Sequence, residues 1–336
     1  MIETVKTLAK KDKRLIVVSL VIAFTILAIP FVGNPFITHS FMLAFLYASL
    51  ALSWNLLCGY CGFFSLGHHA YFGIGAYVTM ILMLFYDVNP WIGVIISGLA
   101  AAILAAAASL PLFRAVGRWF TLATLAFAET IKLIFINWDA VGAARGLQLP
   151  VKPESLYWLT FAGPEIYYYL ILGLLIIEAI ILYRIVRGKI GYCLQVIRED
   201  EFTAMSAGIN PLRYKTIAMI IGGLFAGITG GFYTTKYRFI DPFSTMDWIL
   251  SVEVAVCGIV GGLFSFAGPI VGSLIVIPVS FYVRSVFGGP LGGKFFGVHR
   301  LIYGCILIAV VLVMPEGVLG WIEKRLPMSA RISGEE

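Results

Sequence analysis

Cysteine and histidine supply the side chains of this sequence that are suited to redox or metal chemistry. Cys58 and Cys61 have the CxxC spacing that serves thiol exchange or half of a tetrahedral zinc site. A second such pair is missing from the sequence, and His68 and His69 are adjacent, so on a helix they point to different sides. The HExxH and phosphate-loop motifs are missing too. We therefore expect no cofactor, no metal site and no ATP hydrolysis by this chain, and a polar role for the histidine pair beside a connection or cavity.

Glu129 and Lys132 are ionisable residues inside an apolar stretch, where a charge is costly and usually faces the interior of a helix bundle. Their i, i+3 spacing places both on one face of a helix, so they can pair. Two interpretations stay open. Glu129 and Thr130 line a path for a polar solute, or Lys132 extends to the membrane surface with Glu129 paired to it. Glu178 and Glu253 are also embedded in apolar sequence, which assigns them no role.

A glycine-rich stretch, residues 59–77, separates two apolar segments and carries Ser65, Gly67, His68 and Gly73. Glycine lets a backbone leave the helix or lets two helices approach closely. In lipid, free backbone groups are tolerated only beside protein or a water-filled cavity. The stretch therefore predicts either a broken helix whose backbone meets a solute near the middle of the membrane, or close helix packing through its glycines.

A second stretch, residues 258–272, clusters glycine, serine and proline in the other half of the chain and includes Gly261 and Gly262. Paired interruptions of apolar segments, one in each half, are typical of transporters built from repeated halves. We therefore predict two inverted halves with broken helices around a central path.

The longest polar connection, residues 184–213, has an amphipathic pattern. Its apolar residues share one face of a helical wheel, and Gly208 and Pro211 are expected to end the helix. Such a helix is too short to cross lipid, so it is predicted to dock in a groove of a soluble partner. The alternative is a helix lying on the membrane surface, which the acidic cluster disfavours. The apolar face comprises Ile190, Leu194, Ile197, Ala204 and Met205, and the charged cluster comprises Arg198, Glu199, Asp200 and Glu201.

The composition of the chain indicates the elements that hold these residues. Of its 336 residues 60% are hydrophobic and 12% are charged, with a mean hydropathy of +0.94, whereas soluble domains carry about a quarter charged residues. Continuous apolar runs recur at the length that a bilayer requires, without the alternation of barrel strands. The sequence predicts an all-α, polytopic transmembrane helix bundle of about ten spans, with a range of eight to ten. The ten are Leu15–Val32, Thr38–Leu57, Leu66–Tyr86, Trp91–Phe113, Trp119–Ile136, Pro164–Tyr183, Tyr214–Thr235, Trp248–Phe266, Ala267–Phe287 and Arg300–Met314.

The distribution of lysine and arginine predicts the orientation. Ten spans divide the chain into a basic cytoplasmic N-terminus at residues 1–14, a transmembrane domain at 15–314 and a cytoplasmic tail at 315–336, with the connection 184–213 also cytoplasmic. Most of the 24 basic residues then lie on the cytoplasmic side, as the positive-inside rule requires. These anchors explain the net charge of +6 and give no reason to expect nucleic acid as a partner. The first span has no small-x-small cleavage site, so we expect it to be retained.

Five motifs occur in order between about Leu43 and Gly320. They are Ser65-Leu66-Gly67-His68 with Phe72-Gly73-Ile74-Gly75-Ala76-Tyr77; Thr124-Leu125-Ala126-Phe127 with Glu129; Ile197-Arg198-Glu199-Asp200-Glu201 through Gly208-Ile209 to Tyr214-Lys215; Gly261-Gly262 with Ser265 and Gly268-Pro269; and Pro315-Glu316-Gly317 with Gly320. Together these motifs resemble the LivM-like permeases of the branched-chain amino acid ATP-binding cassette importers. Two departures from the family pattern occur: Val141-Gly142-Ala143-Ala144-Arg145 replaces a usual Thr-Gly-Gly, and Phe264 replaces a usual glycine.

The resemblance implies a permease subunit of the cell (inner) membrane that carries branched-chain amino acids. It also implies a second, homologous permease, two cytoplasmic ATPase subunits and an extracytoplasmic solute-binding protein, with residues 198–208 in the loop that couples to the ATPases. Permeases for urea and short amides are similar, so they remain an alternative. An ion-coupled secondary transporter, with Glu129, Glu178 and Glu253 as a relay, and a membrane enzyme using the histidines are the other rivals.

Overall fold

The computed structural model describes residues 28–115, 117–150, 152–288, 304 and 317–325. Twelve α-helices lie in these ranges, with three short 3₁₀ helices at Ile29–Val32, Asp139–Val141 and Ala143–Arg145 and an antiparallel pair of two-residue strands. The α-helices are α1 (Pro35–Cys58), α2 (His68–Phe85), α3 (Pro90–Leu112), α4 (Arg118–Ile136), α5 (Pro164–Arg187), α6 (Lys189–Glu199), α7 (Glu201–Ser206), α8 (Pro211–Tyr237), α9 (Pro242–Thr245), α10 (Trp248–Gly261), α11 (Gly268–Gly288) and α12 (Gly317–Arg325), and the strands are β1 (Leu147–Gln148) and β2 (Phe239–Ile240).

Several helices begin at an Asn-Pro or Asp-Pro pair. The side chain of Asn34 accepts a hydrogen bond from the Phe36 amide at 3.0 Å, and proline occupies the next position. Asn89, Asn210 and Asp241 begin α3, α8 and α9 in the same way. An asparagine or aspartate cap satisfies free amides at the helix start, and proline suits the first helical turn. These pairs fix where the apolar segments enter the bundle.

Eight helical segments of the described residues are long and apolar enough to cross a membrane, with α9 and α10 counted as one segment. They overlap eight of the ten predicted spans, which confirms the all-α polytopic bundle. Residues 15–27 of the predicted span Leu15–Val32, and the predicted span Arg300–Met314 apart from residue 304, lie outside the described residues. Large apolar side chains of α3, α4 and α5, including Ile103, Leu133 and Ile177, are exposed on the outside of the bundle, as in a protein whose surroundings are lipid or other apolar helices.

The helices run alternately between two ends of the bundle. One end carries α6 and α7 and is called the α6–α7 end; the other carries β1 and β2 and is called the strand end. Helix α8 runs from the first to the second and packs along α2 and α3. A Cβ atom at Gly75 of α2 would collide with the Gly227 backbone of α8, and one at Gly223 would press on Ala105 of α3. Small residues therefore set the spacing of the central three helices.

The end of one predicted span needs a correction. The span predicted as Trp248–Phe266 stops being helical at Gly261, because Gly262 adopts φ +121° and turns the chain. At a rise of 1.5 Å per residue, the 14-residue α10 is about 21 Å long and the 18-residue α2 about 27 Å long. Both are shorter than a bilayer core of about 30 Å. The non-helical residues 59–67 and 262–267 that adjoin them are called the first and second interruptions.

Candidate functional site

The first interruption is largely buried or half-buried, and several of its backbone groups have side-chain partners. Trp54 donates its indole N–H to the Ser65 carbonyl at 2.7 Å, and Thr121 donates its hydroxyl to the Phe64 carbonyl at 2.8 Å. The Leu66 amide donates to the Thr124 hydroxyl at 3.1 Å. Helices α1 and α4 thus replace the hydrogen bonds that the chain loses where it leaves the helix, as the membrane interior requires.

The second interruption lies directly beside the first. Asn55 of α1 donates its amide to the Ser265 carbonyl at 3.3 Å, and a Cβ atom at Gly59 would collide with the Leu263 carbonyl. The indole of Trp54 packs against Gly258, one turn before α10 ends. Residues separated by 200 positions in sequence therefore form one non-helical layer near the α6–α7 end.

Gly261 and Gly262 lie where the backbones of neighbouring segments come close together. A Cβ atom at Gly261 would overlap the Gly268 carbonyl of α11, and Gly317 at the start of α12 lies against Gly262. Gly67 of the first interruption is near the Thr124 carbonyl, while Gly73 faces Met246. In this conformation these glycines are packing positions.

The buried His69 and Ser251 and the half-buried Glu129 and Lys132 form a polar row across three helices. The Nδ1 atom of His69 lies 2.8 Å from the Ser251 hydroxyl of α10, and its Nε2 atom lies 3.6 Å from Oε1 of Glu129 on α4. Lys132 Nζ is 3.7 Å from the other carboxylate oxygen of Glu129. The predicted pairing of Glu129 with Lys132 is present, and His69 extends it to a neighbouring helix that the sequence did not indicate.

His68 and Thr130 stand apart from this row. The buried His68 ring faces Gly222 of α8 and the ring of Tyr71, so the two adjacent histidines contact different helices. The hydroxyl of Thr130 is exposed and donates to the Ala126 carbonyl of its own helix at 2.8 Å. The structure thus brings together Ser65, Gly67, Gly261 and Gly262 around the interruptions and leaves Thr130 outside.

The polar connection forms two helices instead of the single predicted one. Asp200 has extended backbone dihedrals between α6 and α7, and its carboxylate accepts a hydrogen bond from the Thr203 amide. This hydrogen bond lowers the pKa of Asp200 below its usual range. Gly208, at φ +80°, then turns the chain after α7, as the sequence indicated. The amide of Ile209 closes the turn on the Ala204 carbonyl at 3.0 Å.

The predicted apolar docking face also needs a correction. Leu194, Ile197 and Ala204 are buried against the bundle and form part of its core, because the break at Asp200 turns α7 so that its small Ala204 packs inward. The surface left on the outside of α6 and α7 is a different one, with an exposed aromatic residue on each helix. It comprises Tyr192, Val196, Phe202 and Met205, and is called the outer apolar surface.

Arg198 connects α6 to both interruptions. Its guanidinium donates to the Gly59 carbonyl at 3.1 Å and lies 4.8 Å from the ring centroid of Phe264. Its side-chain carbons lie against Gly62, where a Cβ atom would be only 2.9 Å from Arg198 Cγ, and the φ of +80° at this position also favours glycine. It also donates to the exposed Glu199 carboxylate at 2.8 Å. Phe264, which stands where a glycine is usual in the resembling family, thus supplies one of the contacts.

A second connection runs from α7 to α8. Lys215 is 4% exposed and donates to the Glu201 carboxylate at 2.6 Å. Its ammonium also lies 4.0 Å from the ring centroid of Phe63 in the first interruption. The sequence indicated Arg198 and Glu201 as coupling residues but did not indicate these contacts. Glu201 and Lys215 are 14 positions apart, and Arg198 and Gly59 are 139 positions apart, so no local spacing pattern reveals either contact.

The family described as "Branched-chain amino acid transport system / permease component" matches residues 36–311. The high-affinity branched-chain amino acid transport system permease protein LivM of Escherichia coli is 25% identical over 92% of this chain and 75% of its own length. The LivM protein of Salmonella typhimurium is also 25% identical, over 97% of this chain and 79% of its own.

A relative with the related name LivH matches a smaller part of this chain. The probable branched-chain amino acid transport permease protein LivH of Methanocaldococcus jannaschii is 23% identical over 75% of this chain and 82% of its own. No solved structure matches the chain. Because the family match covers most of the chain and the fold is a polytopic helix bundle, this protein belongs to the family of branched-chain amino acid transport system permease components.

Proposed function

We propose that this chain is the membrane-spanning permease subunit of an ATP-binding cassette importer for branched-chain amino acids. The observation that carries the proposal is the connection of α6 to both interruptions through Arg198. A pair of short helices with an exposed apolar surface suits docking to a soluble protein. The names of the LivM and LivH relatives support the amino acid substrate.

In this proposal two cytoplasmic ATPase subunits hydrolyse ATP and move α6 and α7. Arg198 and the Glu201–Lys215 pair transmit the movement to the first interruption, and Arg198 also transmits it to the second. Packed glycines respond in discrete steps, because a contact as close as Gly261 to Gly268 cannot deform gradually. The proposed path residues are Ser65, Gly67, His68, Gly73, Glu129, Thr130, Gly261 and Gly262, and the proposed coupling residues are Ile197, Arg198, Glu199, Asp200, Glu201, Ala204, Gly208 and Ile209.

The remaining parts of the assembly follow from the same proposal. A second, homologous permease subunit completes the path, and an extracytoplasmic binding protein delivers the solute. The chain lies in the cell (inner) membrane with residues 1–14, 184–213 and 315–336 cytoplasmic and residues 15–314 as its transmembrane domain. The strand end then faces the binding protein. Nucleic acid has no part in this function.

Reconstitution of the complete complex in proteoliposomes tests the function. Uptake of leucine, isoleucine or valine should require the binding protein, ATP and the ATPase subunits. Omission of the ATPases under an imposed ion gradient separates this function from an ion-coupled carrier: uptake that persists would contradict the proposal. Uptake of urea or a short amide by the complex, without uptake of leucine, isoleucine or valine, would assign the permease to the alternative substrates.

A further inference from the structure

A cavity of about 210 Å³ opens between α1, α2, α8, α10 and α11, on the strand-end side of the interruptions. This volume is below the roughly 300–1,000 Å³ of sites for drug-sized ligands, so it suits a solute of amino-acid size. Its apolar lining includes buried Leu46, Phe72 and Ile277. It is also lined by Tyr47, Tyr233, Tyr237, Glu253, Ser280 and Arg284.

The cavity contains one acidic and one basic side chain on adjacent helices. Glu253 lies on α10 and is hydrogen-bonded to the phenol of Tyr47 on α1. Because a carboxylate has about four acceptor positions, Glu253 can accept hydrogen bonds from more than one donor, an ammonium group included. Arg284 lies in the last turns of α11, toward the strand end, and its planar guanidinium can bind a carboxylate with two parallel hydrogen bonds.

Aromatic side chains complete the polar half of the cavity. Tyr233 and Tyr237 lie with ring centroids 4.3 Å apart on α8, and the phenol of Tyr237 is 3.2 Å from Nε2 of His39. Faces of such rings attract an ammonium group, most strongly when water is excluded. The cavity thus combines an anion, a cation, phenol rings and an aliphatic surface. A branched-chain amino acid has the complementary ammonium, carboxylate and aliphatic groups.

The helices that line the cavity are also the helices that lead to the interruptions. Helix α1 carries Tyr47 and ends at the first interruption, and α10 carries Glu253 and ends at the second. Eight residues separate Glu253 from Gly261, which is about 12 Å along a helix. A rearrangement of the interruptions therefore reaches the cavity through continuous helices.

We propose that this cavity is the permease's own binding site for a zwitterionic aliphatic amino acid, with Glu253 binding the ammonium group and Arg284 the carboxylate. The proposal rests on the proposed function and adds the site to it. Leu46, Phe72 and Ile277 contact the aliphatic side chain. The site discriminates zwitterions from neutral solutes more than it discriminates one aliphatic side chain from another. One methylene changes binding about 10- to 200-fold in a hydrophobic pocket, whereas a site built to hydrogen-bond a polar group rejects an analogue that lacks it by roughly 10⁴- to 10⁵-fold.

The first test is uptake by the reconstituted complex with the Glu253→Gln variant. Loss of a charged hydrogen bond is expected to reduce leucine uptake roughly 10- to 100-fold. Glu253→Asp should retain more uptake than Glu253→Gln, and Glu154→Gln, which changes an exposed acid near the strand end, should match the wild type. ATP hydrolysis stimulated by the binding protein should persist in Glu253→Gln, which shows that the complex is assembled. Leucine uptake by Glu253→Gln equal to the wild type would overturn the proposal.

The second test measures binding without relying on that variant. In a chain whose five native cysteines are replaced, Ser280→Cys places a thiol in the cavity and Glu154→Cys places one outside it. Leucine should slow the reaction of the first thiol with a charged methanethiosulfonate reagent and leave the second unchanged, and Arg284→Gln should abolish the protection. Leucine uptake by the wild type without protection at Ser280→Cys would overturn this site and leave the proposed function standing. A wild-type complex that imports only urea or an amide would contradict both.

Discussion

At the scale of single residues, Arg198 is the side chain on which the proposed coupling depends most. Its guanidinium contacts the Gly59 carbonyl of the first interruption and the Phe264 ring of the second. Planarity lets one group donate a hydrogen bond and stack on an aromatic face, which the compact ammonium of lysine cannot do equally well. Removal of this side chain should therefore separate movement of α6 from movement of the interruptions.

We expect Arg198→Ala to reduce uptake at least tenfold while ATP hydrolysis continues, because the ATPases still dock on α6 and α7. Arg198→Lys should give an intermediate value. Arg213→Ala is the matched control, since Arg213 is an exposed arginine at the start of α8 and is not one of the proposed coupling residues. Uptake and ATP hydrolysis measured on the same proteoliposomes check this, and an unchanged ratio in Arg198→Ala would refute the coupling role.

Asp200 gives a second prediction at this scale, because it separates α6 from α7 by capping the latter. Asp200→Ala should lose the protection of the α7 amides from hydrogen exchange, whereas Asp200→Asn should retain it, since asparagine is an equally good cap. The lowered pKa of Asp200 means that its contribution is present above the usual aspartate pKa, near 4, and is lost only as the pH falls through the lowered value. Protection in the wild type should therefore be constant between pH 5 and pH 8 after correction for the intrinsic exchange rate; a loss of protection below pH 6 would contradict the capping role.

At the scale of elements, the packing of α2 on α8 fixes the spacing at the centre of the bundle. Gly75 and Gly227 allow the two backbones to touch, and Ala101 of α3 lies against Gly227 from the other side. A helix interface this close has no space for an added methyl group. The glycine-rich stretch predicted either a broken helix or close packing, and the two descriptions apply to its different parts: residues 59–67 leave the helix, while Gly73 and Gly75 pack within α2.

Gly75→Ala is expected to destabilise the protein by about 1–3 kcal/mol, the cost of overpacking a well-filled interface. Gly173→Ala is the control on α5, where an added Cβ atom meets nothing within 4 Å. Thermal unfolding of the purified complex in detergent should show a lower midpoint for Gly75→Ala only. Equal midpoints for the two variants would mean that α2 and α8 are not in close contact in the membrane.

At the scale of the whole molecule, the two ends of the bundle differ in what they offer to partners. The α6–α7 end presents the outer apolar surface, in which Phe202 is 78% exposed. The strand end carries the paired strands β1 and β2, and the cavity lined by Tyr237 and Arg284 lies on its side of the interruptions. An exposed apolar surface on a short polar connection indicates contact with another protein. Under the proposed function, the α6–α7 end is therefore the side at which ATPase subunits would dock.

Replacement of Phe202 and Met205 by serine should reduce co-purification of the ATPase subunits and leave insertion of the permease in the membrane unchanged. The control is Phe243→Ser, which removes an exposed aromatic residue at the strand end. Quantification of ATPase recovered with an affinity-tagged permease measures the effect. Full recovery with both serine substitutions in place would show that the ATPases bind elsewhere.

The sequence by itself determined the class of the protein and most of its elements. Continuous apolar segments with few charges have one stable form in lipid, so hydropathy alone indicated the helix bundle, and eight predicted spans coincide with described helices. The helix end at Gly208 was also predictable from local sequence, because the positive φ of that turn favours glycine. Glu129 and Lys132 were paired correctly because their spacing is local.

The tertiary structure decided every feature that depends on contacts distant in sequence. The meeting of the two interruptions, the contact of His69 with Glu129, and the position of Arg198 between Gly59 and Phe264 join helices whose mutual rotation no local pattern encodes. The direction of the apolar face on α6 and α7 was predicted wrongly for the same reason: an amphipathic pattern indicates that a face is buried, but only the packed bundle shows that Leu194 and Ile197 are buried within the chain itself. The sequence assigned no role to Glu253, and the folding of α10 beside α11 is what places it in one cavity with Arg284.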